Sequence, residues 1–491
     1  MPCSATKLEE ARIYEAREGA AIPAEDRPLF HLTPYVGWMN DPNGFCFYQG
    51  AYHLFYQYYP YDTVWGPMHW GHAVSTDLLH WEHRPCAMAP DTDADAKGCF
   101  SGTATTAPDG RLLLLYTGVQ DDGNGGVKQL QCLAAGDGTD FVKDAANPVI
   151  GEDLLPDGGS CVDFRDPKIW YEDGCYHCIV STRDAKDQGR ILLYESPDAR
   201  HWTYRTTLDS CHWEYGKMWE CPDFFPLDDR QVLLVSPQEM EGSADGEFHA
   251  GFGTVALLGH YDKAQARFTR EQVQTLDYGT EFYAPQTVLT PDGRRILIAW
   301  MENWATVNEA PRRHRWFGCM TMPRELFLQN GRLYQRPARE IETLWQNTIS
   351  RREQLNGTAA YEGIAGRHAD LTVTLDAAAS PDCRRFTLRF AADKRHATEL
   401  CWTPACSELL LDRNRSGSRR DIPHIRRVPA APQDGKLTLR LVLDGECAEL
   451  FINGGERTLA LRLETPAEAK GITFTAEGPV QMEITHHQLG R

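Results

Sequence analysis

The sequence predicts an all-β protein: a five-bladed β-propeller followed by a C-terminal β-sandwich, with a short helix at its N-terminus. Three observations carry this prediction. From Phe30 onward helical periodicity all but disappears, and short apolar runs alternate with Gly, Asp and Pro clusters for about three hundred residues. Within that stretch, strands stop at an Asp and resume at an aromatic residue. This happens in Ser75-Thr76-Asp77 before Trp81, Ala135-Gly136-Asp137 before Phe141, Ser196-Pro197-Asp198 before Trp202 and His260-Tyr261-Asp262 before Phe268, a period of ~60 residues that suits one four-stranded blade. Hairpin turns recur in step at Tyr48-Gln49-Gly50, Pro108-Asp109-Gly110, Glu172-Asp173-Gly174, Leu227-Asp228-Asp229 and Pro291-Asp292-Gly293; five turns imply five blades.

Taken in order, residues 1–27 form an extension whose segment Thr6 to Glu18 reads as a helix, with Leu8, Ala11, Ile13 and Tyr14 on its apolar side. Residues 28–336 hold the blades, laid out as 38–90, 100–150, 164–208, 219–275 and 281–336. Residues 337–354 are a linker, with a short helix from Pro337 to Trp345. Residues 355–491 return to alternating strands, among them Leu371 to Leu375, Phe386 to Phe390, Leu437 to Leu443 and Glu449 to Ile452, with a hairpin turn at Asn453-Gly454-Gly455. This tail gathers no acids, histidines or cysteines into a chemical cluster and reads as support or as an interface. A homodimer through it is a candidate assembly.

Composition narrows the function. With Lys+Arg 50 against Asp+Glu 69 the net charge is -19, which argues against a nucleic-acid groove or an anionic membrane surface as partner. The 13 Trp and 19 Tyr offer flat faces with polar edges, suited to stacking on sugar rings as well as to β cores. Met1 to Leu8 shows no basic stretch followed by an apolar one, and no run approaches membrane-spanning length; a cytoplasmic location is expected. The 15 cysteines, odd in number and irregular in spacing, fit reduced thiols. Cys175 and Cys178 form a C-x-x-C, but no second ligand pair accompanies them and the alternation there reads as a strand. His69 and His72 face opposite sides of a strand. No metal and no cofactor is expected.

The innermost strand of each blade lines one central channel, so whatever precedes it faces a shared funnel. Blade one opens with Asn40-Asp41-Pro42, blade three with Arg165-Asp166-Pro167 and blade four with Glu220-Cys221-Pro222. Asp-Pro is a common strand entry, and an Asp beside an Arg can be a plain ion pair. Recurrence in three blades, around a channel flanked by Trp38, Trp65, Phe100 and Trp219, points instead to catalysis. Paired carboxylates in an aromatic pocket suit glycoside hydrolysis. Asp41, between Asn40 and Asn43, is expected to stay ionised as a nucleophile. Glu220, between Trp219 and Cys221, is expected to hold its proton as a general acid. Asp166, beside Arg165, is expected to stay anionic and stabilise an oxocarbenium-like transition state.

The strings WMNDPNG (Trp38 to Gly44), FYQ (Phe55 to Gln57), FSGT (Phe100 to Thr103), FRDP (Phe164 to Pro167), WECPD (Trp219 to Asp223) and FYAPQ (Phe282 to Gln286), with ELFINGGE (Glu449 to Glu456), resemble glycoside hydrolase family 32. The resemblance runs from about Arg27 to the end. It implies a five-bladed propeller with a β-sandwich, and retaining release of terminal β-D-fructofuranosyl units from sucrose or sucrose 6-phosphate through a covalent fructosyl-enzyme. It assigns Asp41 as nucleophile, Asp166 as transition-state stabiliser and Glu220 as acid/base. It further implies Trp38, Asn40, Gln57, Trp65, Phe100, Ser101, Arg165, Tyr283 and Trp300 as the sugar-binding shell. The N-terminal extension looks most like the bacterial intracellular sucrose-6-phosphate hydrolases. One departure is Glu281 where the family's pattern has Asp, which bears on positioning in the outer pocket. Arg312-Arg313-His314-Arg315 is the densest basic cluster, read either as a phosphate site at the funnel rim or as a solvated loop. The alternatives are a fructan exohydrolase on inulin or levan, an inverting pentosan-cleaving propeller and a catalytically inert sugar-binding propeller.

Overall fold

In the computed structural model, which describes residues 5–417 and 421–490, five four-stranded antiparallel sheets are the five blades. Their innermost strands are Gly37–Tyr48, Gly98–Thr106, Arg165–Glu172, Trp219–Leu227 and Tyr283–Leu289. The first blade gains a fifth strand, Trp316–Phe317, from a loop of the fifth; it pairs in parallel with Gly37 and Trp38 and so fastens the ring next to the funnel. The recurring Asp caps the turn between third and fourth strands. Asp77 accepts from the backbone N–H of Leu79 and His80, and Asp198 from Arg200 and His201. That repeat is turn chemistry and lies away from the channel.

The N-terminal helix runs Lys7–Gly19 behind a Thr6–Glu9 capping box. It packs Ala11 and Glu15 inward, whereas Ile13 is 63% exposed, so its buried stripe is offset from the expected one. Glu15 accepts the Cys86 backbone N–H, and burial pushes its carboxyl up to about 7. The expected helix from Pro337 to Trp345 is a 3-10 turn, Arg339–Leu344, held by buried Ile341 and Leu344. The chain then enters the sandwich at once, as the strand Trp345–Ala359. Cys178 is buried within the strand Cys175–Arg183. His72 stacks on Phe55 and meets His53 at 3.1 Å, while His69 bonds the Pro67 carbonyl. Among the described residues no helix is long and apolar enough to cross a membrane.

The sandwich is one continuous ladder of ten strands folded on itself. Its last strand, Gly471–Leu489, pairs with Trp345–Ala359 along one edge, and with Arg385–Ala392 and His368–Asp376 along the other. Leu371, Phe386, Leu388, Leu441, Leu450 and Phe474 are among its fully buried core. Buried charges join it to the propeller. Arg324 bridges Asp277 and Glu449, and His31 lies between Asp444 at 2.8 Å and Glu449 at 3.0 Å. Glu281 sits in this seam and not in the outer pocket: it is fully buried and paired with Arg413 of the sandwich at 3.0 Å.

Candidate active site

The innermost strands share one irregularity. Register shifts fall at Met39/Pro42, Phe100/Gly102, Arg165/Lys168, Glu220/Asp223 and Tyr283/Gln286, so each blade carries a β-bulge at the funnel mouth. Pro42, Pro167, Pro222 and Pro285 sit within these bulges, where a residue without an N–H is tolerated inside a sheet. Asp166, Cys221 and Ala284 take φ of 65, 48 and 52°, a left-handed backbone that costs about 1–3 kcal/mol each and gathers at functional sites. In the second blade Gly102 replaces proline, because a Cβ there would lie 2.1 Å from the Leu115 carbonyl.

The bulges generate two rings of side chains. Asp41, Ser101, Asp166, Cys221 and Ala284 hold the inner position, one residue before the Pro or Gly. Asn40, Phe100, Arg165, Glu220 and Tyr283 hold the outer one. Contacts run around the inner ring: Ser101 Oγ donates to Asp41 Oδ2 at 2.7 Å, and Cys221 Sγ lies 3.5 Å from Asp41 Oδ2 and 3.6 Å from Asp166 Oδ2. The Cys221 backbone N–H donates to Asp166 at 3.0 Å. In the outer ring Arg165 Nε and Nη2 both reach Glu220 Oε1 at 3.0 Å, and the Tyr283 hydroxyl meets Glu220 Oε2 at 2.7 Å. The three acids are thus one connected cluster, with Asp41 and Asp166 on the axis and Glu220 beside them.

Aromatic groups wall the cluster. Trp65, 48% exposed, stands edge-on to Phe100 at the rim. Trp38 is buried against Trp300, Trp304 and Phe317, and its Nε1 donates to Asn40. Gln57 is buried and donates to the Cys99 carbonyl. Trp219, expected on the channel wall, points away into a blade core and bonds the Tyr215 carbonyl, as the side-chain alternation of a strand requires.

Several electrostatic expectations change. Ser101 supplies the short hydrogen bond to Asp41, whereas Asn43 packs against Gly102 and Gln57. Burial pushes Asp41 up to about 6, with Ser101 working against it and the nearby Glu220 adding to it. Asp166 is also raised, by burial first; Arg165 opposes this from 4.0 Å, since that guanidinium is spent on Glu220, Asp163 and Gln129. Glu220 does not have the apolar setting expected from its sequence neighbours, because Trp219 and Cys221 turn elsewhere and Arg165 and Tyr283 surround it.

The basic cluster disperses. Arg312 lies over the Phe317 and Trp38 rings and donates to the Thr63 and Ala310 carbonyls. Arg313 faces Glu446 and Glu464, His314 faces Glu446, and Arg315 pairs with Glu18. Only Arg312 abuts the sugar-binding wall, as a brace behind Trp38. Sequence reasoning missed Cys221, Asp163, Gln129 and Thr117, the last donating its hydroxyl to the Phe/Ser-blade carbonyl of Ser101 and accepting the Asp166 N–H. Cys221 precedes Pro222 as Asp41 and Asp166 precede Pro42 and Pro167, a signal present in the sequence; the other three sit outside every motif.

Comparisons with known proteins show what the chain is similar to. The family model described as Glycosyl hydrolases family 32 N-terminal domain matches residues 31–337, and Glycosyl hydrolases family 32 C terminal matches 337–489. The chain is 39% identical over 464 residues to a raffinose invertase of Escherichia coli, covering 91% of this chain and 92% of that one. It is 37% identical over 482 residues to an Escherichia coli sucrose-6-phosphate hydrolase, covering 96% and 97%. The Bombyx mori GH32 beta-fructofuranosidase BmSUC1, also solved as a mutant in complex with sucrose, superposes with a TM-score of 0.83 at 33% identity, covering 98% of each chain. With both domains matched along nearly their whole length, the chain belongs to glycosyl hydrolase family 32.

Proposed function

We propose that the protein is a β-fructofuranosidase that releases terminal, non-reducing β-D-fructofuranosyl units from sucrose, sucrose 6-phosphate or both, with retention of configuration. The observation that carries this reading is the connected cluster of Asp41, Asp166 and Glu220, fed from three blades and walled by aromatic rings. With its carboxyl at about 6, Asp41 is roughly 90% ionised at pH 7 and attacks the anomeric carbon. The C–O bond to the leaving sugar breaks as Glu220 gives that oxygen a proton, leaving a fructosyl ester on Asp41. Water, deprotonated by Glu220, then cleaves the ester and restores both groups.

The Tyr283 hydroxyl donates to Glu220 Oε2 at 2.7 Å and lies 3.0 Å from the Ser236 carbonyl, which fixes the Glu220 carboxyl in place for proton transfer. Asp166, whose carboxyl burial raises to about 7, accepts from sugar hydroxyls and in its ionised form offsets the oxocarbenium charge. Trp38, Asn40, Gln57, Trp65, Phe100, Ser101, Arg165, Tyr283 and Trp300 bind or brace the fructosyl ring. A cytoplasmic location goes with this reading, supported by the 15 cysteines. A homodimer is the proposed assembly, supported by the strand Trp345–Ala359, most of whose residues are exposed. Steady-state kinetics on sucrose, sucrose 6-phosphate, inulin and levan, with Asp41→Asn as blank, tests the function. Turnover of either sucrose substrate that the variant lacks is expected; activity confined to the fructans would replace the reading with exohydrolysis.

A further inference from the structure

Away from the funnel, the sandwich and the segment leading into the propeller enclose a cavity of about 520 Å³, within the range of small-molecule sites. Four of the groups that line it are donors or cations without a proper partner. Trp316 is 3% exposed and its indole Nε1 is buried with no hydrogen-bond partner. An indole N–H can only donate, so whatever completes it must accept. His486 is 2% exposed, and the backbone of Ala365 is the one partner its ring finds among the described residues, leaving at least one ring nitrogen unsatisfied.

Arg367, 6% exposed, bonds only the neutral oxygens of Gly445, Thr465 and Ala469, and has no carboxylate partner among the described residues. Burial pulls its guanidinium down to about 10, against the opposing pull of Glu446 and Glu468, neither of which pairs with it directly. Lys470 at the rim likewise makes no ion pair among the described residues. The cavity's inner acid, Glu446, is already neutralised by Arg462, Arg313 and His314, while Glu25 and Asp26 are exposed at its mouth. A buried guanidinium left without an anion is costly, as is a buried donor left without an acceptor.

We infer that this cavity binds a phosphate monoester or free phosphate, with Arg367 and Lys470 supplying charge and Trp316 and His486 completing its oxygens. Guanidinium and ammonium groups beside fixed N–H donors suit a compact, acceptor-only dianion. The volume left beyond a phosphate group admits an attached hexose. Trp316 also pairs with Gly37, three residues before Asn40 of the outer ring, so occupancy reaches the first blade through one strand. The inference does not depend on the catalytic reading.

Calorimetric titration of the whole protein with inorganic phosphate, glucose 6-phosphate and glucose tests it. Phosphate or glucose 6-phosphate is expected to bind and glucose to give no heat. Trp316→Phe and Lys470→Gln should each weaken binding at least fivefold while kcat/KM on sucrose with Lys470→Gln stays within twofold of the parent. Tighter binding of glucose 6-phosphate than of phosphate identifies a sugar phosphate as the ligand, and equal binding identifies free phosphate. If neither anion binds at millimolar concentration, or if Lys470→Gln binds as the parent does, the inference is wrong.

Discussion

Ser101→Ala removes the shortest side-chain hydrogen bond to Asp41, at 2.7 Å, and leaves the weaker contributions of Asn40 and Cys221. A hydrogen bond to a charged group contributes about 1.5–3 kcal/mol. At 1.36 kcal/mol per pKa unit, its loss raises the Asp41 pKa by about one to two units. Starting from about 6, the variant would titrate at roughly 7 to 8. The ionised fraction at pH 7 then falls from roughly 90% to between roughly 50% and 10%. The assay is the pH dependence of kcat/KM on sucrose, which reports the free enzyme. The acid limb should move up by one to two units, and the loss at pH 7 should recover at higher pH. An acid limb that stays in place, with a uniform loss at every pH, would refute the idea that Ser101 holds Asp41 ionised.

Glu220→Gln should cost roughly 10²–10⁴ in kcat on sucrose but far less on an aryl fructoside whose leaving group needs no proton; equal losses would remove Glu220 from the acid role. His31 is buried between Asp444 and Glu449; burial alone would lower its pKa, but Cys447 and the two carboxylates outweigh that and raise it to about 10. Because this lies above the unfolded value, its stabilisation is complete below pH ~6.5 and is lost as pH rises through about 10. His31→Gln should therefore lower stability by about 3–5 kcal/mol at pH 6, read by denaturant unfolding, with a smaller deficit near pH 10. Gly102→Ala puts a Cβ 2.1 Å from the Leu115 carbonyl, so the second-blade bulge must move. A lower Tm and a loss of kcat larger than any rise in KM should follow.

What could be read in the sequence was what repeats. The hairpin turns and the aromatic anchors gave the blade count because each is a local feature with its own turn chemistry. The acids were legible because Pro42, Pro167 and Pro222 mark them. The bulge itself was not, since Asp41 and Asp166 lie one residue before the proline and Glu220 two, and only strand pairing shows that these are different rings. Nearest neighbours in sequence misled the electrostatics: Trp219 and Cys221 flank Glu220 in the chain, yet Arg165 and Tyr283 flank it in space. The roles of Glu281 and Arg313 were also out of reach, because both are set by a sandwich more than 120 residues further along the chain.

The central claim is that the Asp41 carboxylate forms the bond to fructose. The direct measurement is to quench the enzyme during sucrose turnover at low pH, digest it, and weigh the peptide that carries Asp41. One fructosyl unit on that peptide, absent in Asp41→Asn and accumulating when Glu220→Gln is supplied with an activated aryl fructoside, is the predicted result. Turnover with that peptide always unmodified, together with inverted configuration of the fructose first released, would contradict the account.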